Sequence, residues 1–135
     1  MSIKLEAIQK EVYRLGEMIG APRALLLLRD LPADDGAPYV VISNEILCYI
    51  SSERGYEIFR KAASSLDELL YFILDRVTSR MAMDYELNNR VEGQDSRRIY
   101  FSKKIELMNE LCPQWGCKAR QEIERVLVSA PYVDG

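Results

Sequence analysis

The chain has 135 residues, a length that fits one domain, 1–135, built around one core. Its hydrophobic fraction of 48% and charged fraction of 29% are typical of a soluble globular protein, and they exclude disorder along the whole chain. The formal net charge of −3 argues against a nucleic-acid binder, because such proteins usually carry a basic patch.

The chain contains no histidine, which removes the commonest general acid/base and the commonest metal ligand. Its three cysteines, Cys48, Cys112 and Cys117, lack metal-site spacing and are interpreted as free thiols in a reducing compartment. We therefore predict no catalytic residue, no metal site and no cofactor. The N-terminus has no apolar h-region, and the apolar run Ala24–Leu28 is too short to span a membrane. A cytoplasmic protein without a membrane partner is expected.

The first half of the chain changes from a helical pattern to a strand pattern. Apolar residues at helical spacing predict an amphipathic N-terminal helix that ends at Gly20 and Pro22. These residues are Ile3, Ile8, Val12, Leu15 and Ile19. Short apolar or alternating segments then predict strands, with a loop at Asp34–Pro38. The segments are Ala24–Leu28, Tyr39–Ser43, Glu45–Ser51 and Tyr56–Ala62. Predicted tight turns at Ser43-Asn44 and Arg54-Gly55 indicate an antiparallel meander of three or four strands.

The second half reads as three helices. Ser65 and Glu68 form a capping box that opens a long helix, expected to run to about Arg90 and to be ended by Gly93. The next helix is capped by Asp95 or Ser96 and stops before Pro113, which suits the first position of a last helix at about Gln114–Val128. The predicted fold class is α+β: an N-terminal helix, an antiparallel sheet of three or four strands, then three C-terminal helices packed on it.

A dense group of charges of both signs surrounds one tyrosine near the predicted end of the long helix. We call this group the charged cluster. It consists of Asp84, Tyr85, Glu86, Arg90, Asp95, Arg97 and Arg98. The spacings of Arg80 to Asp84 and of Glu86 to Arg90 suit ion pairs on a helix surface.

Arg97 and Arg98 begin a predicted helix, where the helix dipole disfavours positive charge. We expect Asp84, Glu86 or Asp95 to compensate them. The cluster is then either an internal ion-pair network that ties two helices together or a surface that recognises an acidic or phosphate-like group. A catalytic carboxylate is the least favoured interpretation, because nothing in the sequence raises its pKa or supplies a second catalytic group.

Four aromatic residues are candidates for an interaction surface. Tyrosine combines contact area with a hydrogen-bonding group, and tryptophan often anchors interfaces. The candidates are Tyr39, Tyr49 and Tyr56 in the strand region and Trp115 in the last helix. The competing interpretation is strand propensity for the tyrosines and core packing for Trp115, which its apolar helix position favours.

The segment from about Leu66 to Trp115 resembles the immunity protein 63 family of bacterial polymorphic-toxin systems. Three stretches carry the resemblance: S-L-D-E-L-L-Y-F-I-L-D-R-V-T, then M-A-M-D-Y-E-L-N-N-R-V-E-G-Q-D-S-R-R, then E-L-C-P-Q-W. The charged cluster and Trp115 match the family pattern. Gly116-Cys117 departs from it, since a more strongly helix-forming, charged run is expected there.

The resemblance implies a bacterial cytoplasmic immunity protein that binds a cognate toxin domain and neutralises it by stoichiometric protein–protein binding rather than by turnover. The family's shared residues hold either the fold or the toxin. An acidic single-domain protein fits a basic toxin partner. The alternatives are an adaptor or regulatory module that binds a cellular protein, and, less favoured, a small-ligand binder or enzyme that uses the charged cluster. A deep pocket lined by that cluster would favour the last alternative, and mutual pairing of its charges would argue against it.

Overall fold

A computed structural model of the protein describes residues 4–33, 35–44 and 46–135. The order of elements is one helix, a short helix, three strands and three helices. They are α1 (Leu5–Met18), α2 (Arg23–Leu26), β1 (Tyr39–Ser43), β2 (Ile46–Glu53), β3 (Tyr56–Ala63), α3 (Leu66–Asn88), α4 (Arg97–Leu111) and α5 (Pro113–Ser129). Strands and helices are segregated along the chain, which confirms the α+β class and the order of elements. Three residues assigned above to the first helix, the loop and the second strand, namely Ile3, Asp34 and Glu45, lie outside the described residues.

The chain divides into two compact units, residues 1–74 and 75–135, and the division falls inside α3. Each unit has its own buried apolar residues. The largest in the first unit are Ile8, Val12, Leu26, Ile50, Leu69, Ile73 and Leu74. Those of the second are Val77, Ala82, Leu107, Met108, Leu111, Trp115, Ala119 and Ile123. The expectation of a single domain stays a prediction.

The three strands form an antiparallel sheet in the order β1-β2-β3. Val41 pairs with Cys48, and Leu47 pairs with Ala63, so β2 is the central strand. The turn between β2 and β3 has positive φ at both Arg54 (52°) and Gly55 (80°). Positive φ at both central residues is the geometry of tight hairpin turns that match the twist of the flanking strands. The predicted meander is therefore confirmed, with three strands.

The predicted strand at Ala24–Leu28 is wrong. Arg23–Leu26 forms the short helix α2, and Leu26 is buried against α1. A Cβ at Gly16 of α1 would lie only 2.3 Å from Leu26 Cδ1, so glycine makes room for this side chain. Gln9 Nε2 donates to Leu26 O at 2.8 Å. A short apolar run does not by its pattern distinguish helix from strand. Alanine and leucine have high helix propensity and are not β-branched, and the contact of Leu26 with α1 is made by the helix.

In the second unit, α4 and α5 pack closely because Gly116 of α5 has no side chain at their contact. A Cβ there would lie 1.6 Å from Asn109 Oδ1 and 3.0 Å from Asn109 Cα. Only glycine leaves space for the approach of α4, which is a physical reason for a poor helix former inside α5. Pro113 is the first residue of α5, where its missing N–H costs nothing.

A buried ammonium group connects α3 to α4. Lys104 Nζ donates to Asp75 O at 2.7 Å, and it contacts Asp75 Oδ1 and Ser79 Oγ at 2.5 Å each. The side chain of Lys104 is nearly buried, and that of Asp75 is about one-quarter exposed. A buried charge is tolerated when it is paired and fully hydrogen-bonded, as here. This pair was not identified from the sequence.

Candidate functional site

The charged cluster separates into two groups. The first lies on the last turns of α3 and its exit, where Arg80 Nε is 3.5 Å from Asp84 Oδ1. Glu86 is buried, and it accepts two hydrogen bonds from Arg90, at 2.7 and 3.1 Å. These bonds hold the pKa of the Glu86 carboxyl below its usual range. Both predicted i,i+4 ion pairs are present, and neither carboxylate is paired with Arg97 or Arg98.

Tyr85 belongs to a shallow cleft of about 270 Å³ on the second unit. Its ring is half-exposed, and Lys103 Nζ of α4 lies 4.6 Å from the ring centroid, within the range of a cation–π contact. The lining residues are Tyr85, Gln94, Arg98, Ile99, Ser102, Lys103 and Glu106. This cleft brings Tyr85 and Arg98, two members of the charged cluster, to one place.

The C-terminal end of α3 exposes large apolar side chains. Met83 is 49% exposed and Leu87 is 57% exposed, and their spacing of four places them on one helix face. Val91, just beyond the helix, is 52% exposed. We call these three residues the α3 apolar set. The amides of Asn88 and Asn89 donate to the carbonyls of Asp84 and Tyr85, at 2.9 and 2.8 Å, and so cap this end of the helix.

The second group of charges lies at the start of α4 and holds the end of the chain. Asp95 Oδ1 accepts the backbone N–H of Arg97 at 2.9 Å, so Asp95 rather than Ser96 supplies the side-chain cap. The Arg97 guanidinium binds the same carboxylate at 2.9 Å and donates to the carbonyls of Ala130 and Pro131, at 2.8 Å each. The expected compensation of Arg97 by Asp95 is therefore present.

Arg98 is compensated by a residue that the sequence did not suggest. Its Nε and Nη2 donate to the two carboxylate oxygens of Asp134, at 3.0 Å each. The guanidinium also lies 4.2 Å from the ring centroid of Tyr132. The bonds from Arg98 lower the pKa of Asp134, and those from Arg97 lower the pKa of Asp95. The only sequence signal for Asp134 was the excess of positive charge at the start of α4.

The four aromatic candidates do not share a surface environment. Tyr49 and Trp115 are buried and belong to the core of their units, so their side chains are not exposed to a partner. Tyr39 is half-buried in β1, and Tyr56 is 79% exposed at the start of β3. Strand alternation and the β2–β3 turn account for this difference.

The described residues contain no group of three or more acidic or cysteine side chains placed to hold a metal ion. The three cysteines are free thiols, as expected. In the same part of the chain, no helix combines the length with the apolar character that a bilayer crossing requires. The α3 apolar set was missed from the sequence, although the spacing of Met83 and Leu87 could have indicated an exposed apolar face.

A family model described as Immunity protein 63 matches residues 44–125, more than half of the chain. The chain belongs to the Immunity protein 63 family. The matched segment of this immunity protein contains the whole charged cluster and the α3 apolar set, and it ends before the last residues of the chain. Searches of curated proteins and of solved structures found no match.

Proposed function

We propose that this immunity protein binds a cognate polymorphic-toxin domain in the bacterial cytoplasm and neutralises it by stoichiometric occlusion. Family membership carries the proposal, and the matched residues include the exposed apolar side chains of Met83, Leu87 and Val91. Each charged member of the charged cluster is ion-paired within the chain. That mutual pairing gives no support to an enzyme or small-ligand binder that uses these charges.

The α3 apolar set supports a location for the contact. Met83 and Leu87 share one helix face, Val91 follows it, and grouped exposed apolar side chains are typical of protein-interaction sites. Truncating an apolar anchor at the centre of an interface often costs much of the binding energy. Arg80–Asp84 flanks the set as a ready-made ion pair, so a partner need not supply a compensating charge.

The charge distribution also favours an apolar contact here. Residues 75–135 contain ten acidic and ten basic side chains, and the net charge of −3 resides in residues 1–74. A basic toxin would be steered by the field of the first unit, because net charge acts mainly on association rate. Affinity at the α3 apolar set would depend on buried apolar area instead.

We expect Leu87→Arg to weaken toxin binding by about tenfold or more, which is about 1.4 kcal/mol, because a charge then enters an apolar contact. The melting temperature should hardly change, since Leu87 is already exposed. Val128→Arg is the matched control: Val128 is 83% exposed on α5, in the same unit. Biolayer interferometry with the purified toxin domain measures both variants.

The neighbouring genes are first searched for a secreted protein with a toxin-like C-terminal domain, and that domain is used in an inactivated form for purification. Co-expression of its active form tests neutralisation through growth, and light scattering after gel filtration tests a 1:1 complex. Failure of the wild-type chain to rescue growth or to form the complex contradicts the proposed function. Unchanged binding by Leu87→Arg contradicts only the location. Recovery of a housekeeping protein instead of a toxin would favour the adaptor interpretation.

A further inference from the structure

The last six residues of the chain, Ala130–Gly135, have no helix or strand of their own. We call them the C-terminal segment. They run along Gly93–Arg98, the loop and first turn that precede and begin α4, which we call the clamp. An extended segment without internal hydrogen bonds loses much conformational entropy on ordering, so its place depends on the bonds that it makes with other groups.

Several of these hydrogen bonds are made to backbone groups of the C-terminal segment. Arg97 donates to the two consecutive carbonyls Ala130 O and Pro131 O. Asp95 Oδ2 accepts the N–H of Val133 at 2.9 Å, and Gly93 O accepts the N–H of Gly135 at 3.1 Å. The clamp thus recognises an extended chain at four backbone positions.

Two side chains of the segment supply chemical selectivity. Tyr132 lies 4.2 Å from the guanidinium carbon of Arg98 and 6.3 Å, centroid to centroid, from the ring of Phe101. Asp134 receives two hydrogen bonds from Arg98 and a third, at 2.8 Å, from the backbone N–H of Asp95. A bidentate arginine–carboxylate pair is strong and geometrically selective. The clamp therefore contacts two side-chain features of the segment: a planar aromatic ring and a carboxylate two residues later.

Part of the clamp is held by contacts between its own residues. The ion pair between Asp95 and Arg97, and the cap that Asp95 makes on the N–H of Arg97, are formed within the clamp itself. Gly93 has a φ of 79°, which presents its carbonyl without strain. Without Asp134, however, Arg98 would face the positive end of the α4 dipole uncompensated. A preorganised site that lacks one negative charge favours an acidic ligand.

We propose that the clamp is a peptide-binding site for extended segments that carry an aromatic residue two positions before an aspartate, and that the C-terminal segment fills this site in cis. The matched family segment includes the clamp and excludes its occupant. A cleft of about 310 Å³, lined in part by Arg98, Phe101 and Tyr132, continues from the aromatic position. The proposal does not depend on toxin binding.

The test uses residues 1–135 with Tyr132→Ala and Asp134→Ala, which weakens the cis occupant and leaves the clamp residues unchanged. The probe is a fluorescent, end-blocked peptide with the sequence Ser-Ala-Pro-Tyr-Val-Asp-Gly of residues 129–135. Fluorescence anisotropy should show saturable binding. The peptide with Asn in place of Asp should bind about tenfold more weakly or worse, because it loses a charge-assisted pair.

Two controls use the same chain. The wild-type protein should bind the peptide more weakly than the double variant, because its own segment competes at an effective concentration in the millimolar range. Adding Arg98→Ala to the double variant should abolish binding. Absence of saturable binding to a folded double variant, or equal binding of the Asp and Asn peptides, would overturn the proposal.

Hydrogen exchange on the wild-type chain provides a second measurement, including in the event that the double variant does not fold. The amides of Asp95, Val133 and Gly135 donate to the clamp–segment contacts. A site with a displaceable occupant requires these amides to exchange by local opening, faster than the core of α4. Exchange of all three only on global unfolding would make the segment a permanent part of the fold and would refute the proposal.

Discussion

Glu86 and Asp95 of the charged cluster and Asp134 of the C-terminal segment each accept hydrogen bonds from an arginine, and these bonds lower the pKa of all three carboxyls. Bonds from Arg90, Arg97 and Arg98 lower the pKa of Glu86, Asp95 and Asp134 respectively. Hydrogen bonds to the charged form of a carboxylate favour that form. At the scale of single residues, these ion pairs therefore depend on ionised acids.

This pairing predicts how stability depends on pH. Because the pKa of Asp134 is lowered in the folded state from its ordinary value of 3.8, the unfolded chain binds the proton more readily. The stabilisation is fully present well above pH 3.8 and is lost as the pH falls through the lower folded-state pKa. We expect Asp134→Asn to lower the melting temperature at pH 7 by a few degrees and to flatten the decline below pH 5.

Thermal unfolding followed by circular dichroism between pH 2 and pH 7 measures this effect. Glu92→Gln is the matched control, because Glu92 lies in the loop just before the clamp and forms no ion pair among the described residues. If the melting temperature falls with decreasing pH as steeply in Asp134→Asn as in the wild type, the Arg98–Asp134 pair does not contribute to the pH dependence of stability.

At the scale of elements, the start of α3 follows from its first few residues. Ser65 Oγ accepts the N–H of Glu68 at 3.1 Å, and Glu68 Oε1 accepts the N–H of Ser64 at 2.9 Å. The predicted capping box is thus present, with the glutamate reaching one residue further back than usual. Two N–H groups at this end are satisfied without any long-range contact.

We expect Ser65→Ala to destabilise the protein by about 1 kcal/mol, because an N–H of the first helical turn loses its acceptor. Urea unfolding at neutral pH measures the change in the free energy of unfolding. Ser64→Ala is the control, since the backbone N–H of Ser64 makes the shorter bond and is retained. An equal decrease in the free energy of unfolding in both variants would mean that the Ser65 hydroxyl is not the cap.

At the scale of the whole molecule, the chain divides into two compact units, and the division falls inside one continuous helix. This position of the division bears on the cooperativity of unfolding. Residues 66–88 are helical throughout, and the division between Leu74 and Asp75 interrupts none of the backbone bonds of α3. Fraying α3 would therefore disturb both units, since its residues contribute to the buried set of each.

We predict a single calorimetric transition, with a van't Hoff enthalpy equal to the calorimetric enthalpy, as for a single domain of fewer than about 150 residues. Differential scanning calorimetry on the full chain measures both quantities. Two resolved transitions, or a van't Hoff enthalpy well below the calorimetric value, would instead show that the two units unfold separately.

The sequence by itself determined the elements whose signals are local. Helical spacing, the Ser65 capping box, Pro113 and the positive-φ turn at Arg54-Gly55 each act within a few residues, so α1, α3, α5 and the hairpin were predicted close to their observed bounds. The paired charges at i,i+4 on α3 were predictable for the same reason. The family was recognisable because the matching motifs are also contiguous in sequence.

Only the tertiary structure decided the contacts between residues far apart along the chain. The short helix at Arg23–Leu26 depends on space left by Gly16, and the neutralisation of Arg98 depends on Asp134, 36 residues away. Local propensity did not distinguish helix from strand for the short helix, and it carries no information about the Arg98–Asp134 pair. Whether a charge is a free functional group or an anchor depends on which distant partner the fold brings within hydrogen-bond distance, and sequence spacing does not encode that distance.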